Sequence, residues 1–455
     1  VNRNRHDLIL TWRSIPRVID MPELKLPDRP PFSLRARLLT PLASGGTRFE
    51  ADAVLRVDNL GRIGQLGGDA DPDAIDLRPM LLLPGMVDLH AHLPQLPNAG
   101  LGAGLDLLTW LERYIFPLER AFDADVARQL APLAFRAFAA AGTTTAVLYG
   151  AVFEPSLDAA FEAAEAHGIR AVIGKVMMDR LRYDAKLADA EVLETSLRQS
   201  AALIERWDRR DAGRLRYAVT PRFAVSCSAD MLRESAALAK ATGTYWQTHL
   251  AEDHREIAEV RHLFPGALDY TDVYDRAGGL APSAILAHAI HLSDREVSRL
   301  AESGSNVVHC PASNLFLASG AMPLSRYLDA GLSIGLGSDV AGGPDLSIFG
   351  SMRAGAYTQN GRRAMLGDAQ PPLGPLDWLR LGTLDGARVL GQEDEIGSLE
   401  AGKDADFILV DPDRTAPLPG EQRDEPEELM SRLIFRAHPD MVRGAWVRGR
   451  RLATR

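Results

Sequence analysis

The chain has 455 residues, 46% hydrophobic and 25% charged, a size that suits two domains or one large barrel with an appendage. Its formal net charge of −10 argues against nucleic acid or an anionic membrane as the main partner and favours a neutral or cationic small molecule. Two cysteines, Cys227 and Cys310, exclude a disulfide framework and a cysteine-rich zinc site; with no signal-peptide core and no long charge-free apolar run, a soluble cytoplasmic protein is expected.

Residues 33–66 alternate β-type runs with turns (SLRARLLT, ASGGT, FEADAVLRV, DNLGR, IGQLG), the pattern of an antiparallel sheet. From about residue 81, short apolar runs alternate with long segments carrying apolar residues at helical spacing. The runs are 83–90, 143–150, 169–177, 215–223, 244–250, 283–289, 305–310 and 332–338. Eight strand–helix units over this length predict a (β/α)₈ barrel. After about 390 the strand pattern returns at 404–412 and 440–452. The expected architecture is α/β: a TIM barrel over 81–390 with a small composite β-sandwich domain built from both chain ends, 1–80 and 391–455.

Histidines mark the proposed strand ends. In a barrel the C-terminal ends of the strands converge on one cavity, so side chains there carry the chemistry. His90 and His92 form an H-x-H pair ending the first strand, and residues i and i+2 of a strand point to one side. His249 ends strand five, His288 strand six, and Asp339 strand eight in GLGSDVAGG. A lone histidine is more often a hydrogen-bonded core residue; this constellation is a nitrogen-rich metal set suited to zinc, and also to iron or manganese. Such a site makes hydroxide available at neutral pH. Glu252, three residues past His249, is placed to act as a proton shuttle without being a ligand. A first-turn helix glutamate is the ordinary alternative.

PGMVDLHAH, QTHLAED, AHAIHLSD, HCPASNLFLASG and GSDVAGG together resemble the amidohydrolase superfamily, in its nucleobase and aminoheterocycle deaminase branch. HLPQ (92–95), WLERYIFPLERAF (110–122), GKVMMD (174–179), VTPRFAVSCS (219–228), YTDVYD (270–275) and SNLFLASG (313–320) are similar to the barrel-type guanine deaminases. The resemblance covers nearly the whole barrel and EIGSLEAGKDADFILVD (395–411), but not the first thirty residues.

It implies metal ligation by His90, His92, His249, His288 and Asp339, with Glu252, Asp339 and His288 catalytic and Glu252 the proton shuttle. It also implies purine contacts from Gln95, Arg222 and Phe223 beside His92 and Glu252, one zinc ion per subunit, a purine as small-molecule partner, and a homodimer. The sixth-strand histidine, His288, is the ligand that in this superfamily can instead sit beside the water. Strand four ends in Thr220, Pro221, Arg222 and Phe223 without the lysine that bridges two metals, and Lys175 belongs to strand three, so a mononuclear site is expected.

Other readings stay open at this stage. Arg222 could neutralise a rim carboxylate, and Trp110 and Phe116 fit packing as well as pocket walls. His309 and Asn314 are expected to organise the strand-seven loop, and His291 to lie outside the ligand set or at the surface. Rival functions are deamination of 8-oxoguanine, a pterin, cytosine or a triazine, cleavage of a cyclic amide, and a catalytically dead binding barrel. Gly331–Gly335 matches a nucleophile-elbow pattern inside a strand, and Gly397–Lys403 lacks the Ser/Thr of a phosphate loop. Cys310, beside Pro311 and without a clear base, is expected to be a small buried residue.

Overall fold

The computed structural model describes residues 25–67, 71–181, 189–418 and 425–454; His6, for which no role is expected, lies outside the described residues. Two sheets organise the chain. The first is assembled from both ends: β1 (Phe32–Pro41), β2 (Thr47–Val57), β3 (Ile63–Leu66) and β4 (Ile75–Pro84) join three late strands defined below. The second is the barrel: β5 (Met86–His92), β6 (Thr143–Tyr149), β7 (Arg170–Gly174), β8 (Val176–Met177), β9 (Leu215–Pro221), β10 (Tyr245–Leu250), β11 (Ala284–His288), β12 (Asn306–His309) and β13 (Ser333–Leu336). The chain then returns to the first sheet through β14 (Phe407–Val410), β15 (Val442–Val447) and β16 (Arg450–Arg451).

Neighbouring barrel strands pair in parallel, in the order β13-β12-β11-β10-β9-β7-β6-β5, with β8 against β9. The ring is nearly closed where Asp339 N donates to His90 O (2.7 Å) and His92 N to Val340 O (2.9 Å). Strands such as TTTAVLY and AILAH are buried along their whole length, as parallel strands covered by helices must be, and their β-branched and small residues suit that double burial. Several helices begin on side-chain caps. Ser293 and Glu296 form a capping box for Asp294–Ser303, and Asp253 and Glu256 form another for His254–Leu263.

The terminal sheet runs β16-β15-β14-β4-β1-β2-β3, so β4 is central, parallel to β1 and antiparallel to β14. Phe407 and Trp446 stack in its core with ring centroids 4.7 Å apart. A buried arginine clasps sheet to barrel: Arg170 at the start of β7 donates to Asp404 (2.8 Å) and Asp406 (3.1 Å), beside β14.

Two of the expected barrel runs are divided. The apolar run 83–90 is divided: Leu83 and Pro84 finish β4, and the barrel strand starts at Met86. Gly85 makes the transition against Thr144, whose Oγ1 would lie 2.0 Å from an added Cβ. The expected strand 169–177 is broken at Lys175 into β7 and β8.

Candidate active site

The C-terminal ends of β5, β10, β11 and β13 bring His90, His92, His249, His288 and Asp339 together. His90 Nε2 and His92 Nε2 stand 3.2 and 3.4 Å from Asp339 Oδ1, and His288 Nε2 stands 3.8 Å from Asp339 Oδ2. His249 Nε2 is 3.2 Å from His92 Nε2. The outer nitrogens of two of these rings are committed elsewhere: His249 Nδ1 to Arg222 O (2.7 Å) and His288 Nδ1 to Asn314 Oδ1 (2.9 Å). With Nδ1 holding the proton, each ring turns an Nε2 lone pair inward, the usual way a histidine ligand is fixed. Asn314 thus does more than shape its own loop.

Charge and burial agree with this arrangement. Burial lowers His90, His249 and His92, the last to about 4, so the rings are neutral with lone pairs available. Burial pushes Asp339 up, but the charge and hydrogen bonds that His90, His92 and His288 offer it when they carry a proton more than reverse that and hold it well below the usual carboxylate range, as a bound cation in the same place would. His90 Nε2 and His288 Nε2 are buried without a hydrogen-bond partner among the described residues. Imidazole nitrogens left unsatisfied around an ionised carboxylate fit a borderline-soft divalent cation.

The backbone is strained here: His288 and Asp339 have φ of +72° and +48°, and Ala251 and Ala289 share that left-handed region. Such positions cost about 1–3 kcal/mol each and collect at functional sites. Asp88, missed by the sequence reading, braces the seam. Its carboxylate accepts from Ser338 N (2.9 Å) and Ser338 Oγ (2.5 Å), anchoring the residue before Asp339 to β5.

Glu252 lies beside the cluster, 2% exposed, with Oε2 3.4 Å from His288 Nε2 and Oε1 accepting from Ser319 Oγ at 3.0 Å. Burial and then the charge of Asp339 push its carboxyl well above the ordinary glutamate value, a condition suited to exchanging protons near neutrality. Its own amide N–H donates to Glu256 Oε2 (2.8 Å), and Tyr270 Oη donates to Glu256 Oε1 (2.6 Å). His291 Nε2 donates to the carbonyl of Ser319, away from the ligands.

A pocket opens onto this cluster, bounded by Gln95, Trp110, Arg222, Phe223, Glu252 and Leu317 as well as the cluster's inner faces. Trp110 is therefore a pocket wall. Phe116 instead lies against the Arg222 guanidinium, 5.5 Å from its ring centre. Arg222 lines the pocket and also pairs with a buried carboxylate, Glu119, at 2.5 Å. Glu119 was not singled out in the sequence, although it lies in the WLERYIFPLERAF segment. Cys310 is buried, and burial holds its thiol well above the ordinary value.

Barrel, terminal sheet and histidine–aspartate cluster define the class: the chain belongs to the amidohydrolase family, whose model matches residues 81–452. The family is metal-dependent. Within it the chain is similar to guanine deaminases. A probable guanine deaminase of Deinococcus radiodurans is 37% identical over 414 residues, covering 88% of this chain and 92% of the relative. The crystal structure of a guanine deaminase from C. acetobutylicum, with guanine bound in its active site, matches with a TM-score of 0.85 and 28% identity over 92% of this chain and 99% of the other. An adenosine deaminase from Xanthomonas campestris with bound zinc matches with a TM-score of 0.79 and 26% identity, covering 94% of this chain and 93% of that one.

Proposed function

We propose that this chain is a hydrolase of C–N bonds that converts guanine and water to xanthine and ammonia. The observation that carries the proposal is one pocket holding both the histidine–aspartate cluster with Glu252 and a polar wall of Gln95 and Arg222. The strong similarity to guanine deaminases supports it. The reading takes 81–390 as the hydrolase barrel, with 1–80 and 391–455 forming its appended β domain. It carries with it one zinc ion per subunit, a homodimer and a cytoplasmic location. No helix among the described residues is long and apolar enough to cross a membrane.

His90, His92, His249 and Asp339 would hold the ion, with His288 either ligating or steadying the water. When bound there, zinc supplies a Lewis acid that brings the pKa of water toward about 7. The end of β9 is Pro221, followed by Arg222, whose fixed positive charge disfavours a second cation. Phe223 and Trp110 exclude solvent and press on the ring. Gln95 and Arg222 orient the purine. Glu252 takes a proton from the attacking water while Asp339 draws on the other, and passes it to the ring nitrogen beside the amino-bearing carbon. The C–O bond forms, the remaining proton of the added oxygen passes by way of Asp339 and Glu252 to the amine, and the C–N bond breaks, leaving a carbonyl on the ring and releasing ammonia.

The test is ammonia release by the zinc-loaded protein on guanine, 8-oxoguanine, adenine, cytosine and isoxanthopterin, with bound metal measured in parallel. Guanine is expected to be turned over fastest, with one zinc ion per chain. A different preferred ring would overturn the roles given to Gln95, Arg222 and Phe223. No ammonia from zinc-bound protein would overturn the deaminase reading.

A further inference from the structure

An amide side chain has one donating and one accepting end of nearly the same shape, so Gln95 alone could read a ligand edge in either sense. In this fold it has no such freedom. Glu119, at 0% exposure on the helix Phe116–Ala121, accepts from Gln95 Nε2 at 2.8 Å. The same carboxylate accepts from Arg222 Nη1 with both oxygens, at 2.6 and 2.5 Å. A carboxylate can only accept, so the nitrogen of Gln95 must face it and the oxygen must face away. Gln95 Oε1 is buried with no hydrogen-bond partner among the described residues, and Gln95 and Arg222 both line the pocket. Arginine, in turn, can only donate. Phe116 backs the guanidinium from the side, so the three polar groups form one fixed unit.

We infer that Glu119 is a positioning residue that determines specificity: it fixes the pocket's hydrogen-bond polarity as an acceptor at Gln95 Oε1 beside donors at Arg222. That polarity selects a purine edge with a ring N–H next to a carbonyl oxygen. It rejects an edge with a bare ring nitrogen next to an exocyclic amine, which would set acceptor against acceptor and donor against donor. Guanine carries the first edge. 2,6-Diaminopurine carries the second, with the same amino group on the same carbon, so its hydrolysis (to isoguanine and ammonia) isolates the polarity from the chemistry. The inference rests on guanine being the substrate.

The experiment measures kcat and KM for guanine and for 2,6-diaminopurine in the wild type, Glu119→Gln and Glu119→Asp, with bound zinc and melting temperature recorded for each. The wild type is expected to favour guanine in kcat/KM by about 10³-fold or more, since a site built around polar partners strongly rejects a mismatched analogue. In Glu119→Gln the neighbour can donate as well as accept, the Gln95 amide is released, and the preference falls by about tenfold or more, chiefly through KM for guanine. Glu119→Asp restores part of it. If Glu119→Gln does not fold, Gln95→Leu, which leaves the Glu119–Arg222 pair intact, must show the same loss of preference.

A folded, zinc-bound Glu119→Gln that keeps the wild-type preference overturns the inference, as does a wild type that treats both purines alike. A wild type that releases no ammonia from guanine overturns the substrate reading first, and the inference with it.

Discussion

Replacing Glu252 by glutamine tests the chemistry with almost no change of shape. The side chain is buried, its Oε1 holds Ser319 Oγ at 3.0 Å, and an amide oxygen can keep that bond. What disappears is the proton-exchanging oxygen, Oε2, now 3.4 Å from His288 Nε2. General acid–base catalysis of this kind contributes about 10²–10⁴-fold, which is about 3–5 kcal/mol of barrier. Glu252→Gln is therefore expected to lower kcat for guanine by that factor while KM changes little, because Gln95, Arg222 and Phe223 are untouched. The assay is steady-state loss of guanine absorbance with ammonia measured separately, on protein whose zinc content matches the wild type. Stability should not fall, since the substitution removes a carboxyl that burial and Asp339 make costly to ionise. A zinc-bound Glu252→Gln with kcat within about tenfold of the wild type would refute the proton-shuttle role.

Arg170→Met removes the cation between Asp404 and Asp406 and leaves Asp406, 3% exposed, without its arginine. Breaking a buried pair in this way costs about 3–5 kcal/mol, readable as a lower urea midpoint, with kcat per folded molecule unchanged; an unaltered midpoint would refute the clasp. Burial and the neighbouring Glu252 push the Glu256 carboxyl up to about 7. A raised carboxyl pKa means that this group's contribution to stability is complete below its ordinary value of 4.5 and is lost as pH rises through 7. Over that window the wild-type melting temperature should fall relative to Glu256→Gln, whose oxygen can still accept from Glu252 N and Asp253 N; parallel profiles would refute the assignment.

The barrel was legible because its signal is local. TTTAVLY, YWQTHL and AILAH are short, apolar and bounded by helical segments, and each places its histidine or tyrosine at the end that faces the site. The H-x-H spacing of His90 and His92 likewise follows from the strand period alone. The boundary at Gly85 was illegible because LLLPGMV is one apolar run, and what divides it is a change of sheet with no change of residue character. Glu119 was illegible for a different reason. A glutamate beside Arg120 in a helix reads as a solvated face, and only the packing of its helix over the barrel mouth turns it onto Gln95 and Arg222. Asn314 is similar: its loop was recognised, but its bond to His288 spans two strands of the barrel.

The place of β4 in the terminal sheet also bears on how the protein is made. Leu81–Pro84 pair with Phe407–Val410, so one flank of the sheet's central strand waits for residues synthesised only after the entire barrel. Until they emerge from the ribosome, the nascent chain carries an apolar strand edge with unpaired N–H and C=O groups, the kind of surface that recruits foreign strands. Translation rate through the barrel therefore sets how long the chain is exposed to that hazard. A message cut short anywhere within the barrel yields a product whose edge is never covered, and which is marked for chaperone capture or aggregation rather than partial activity.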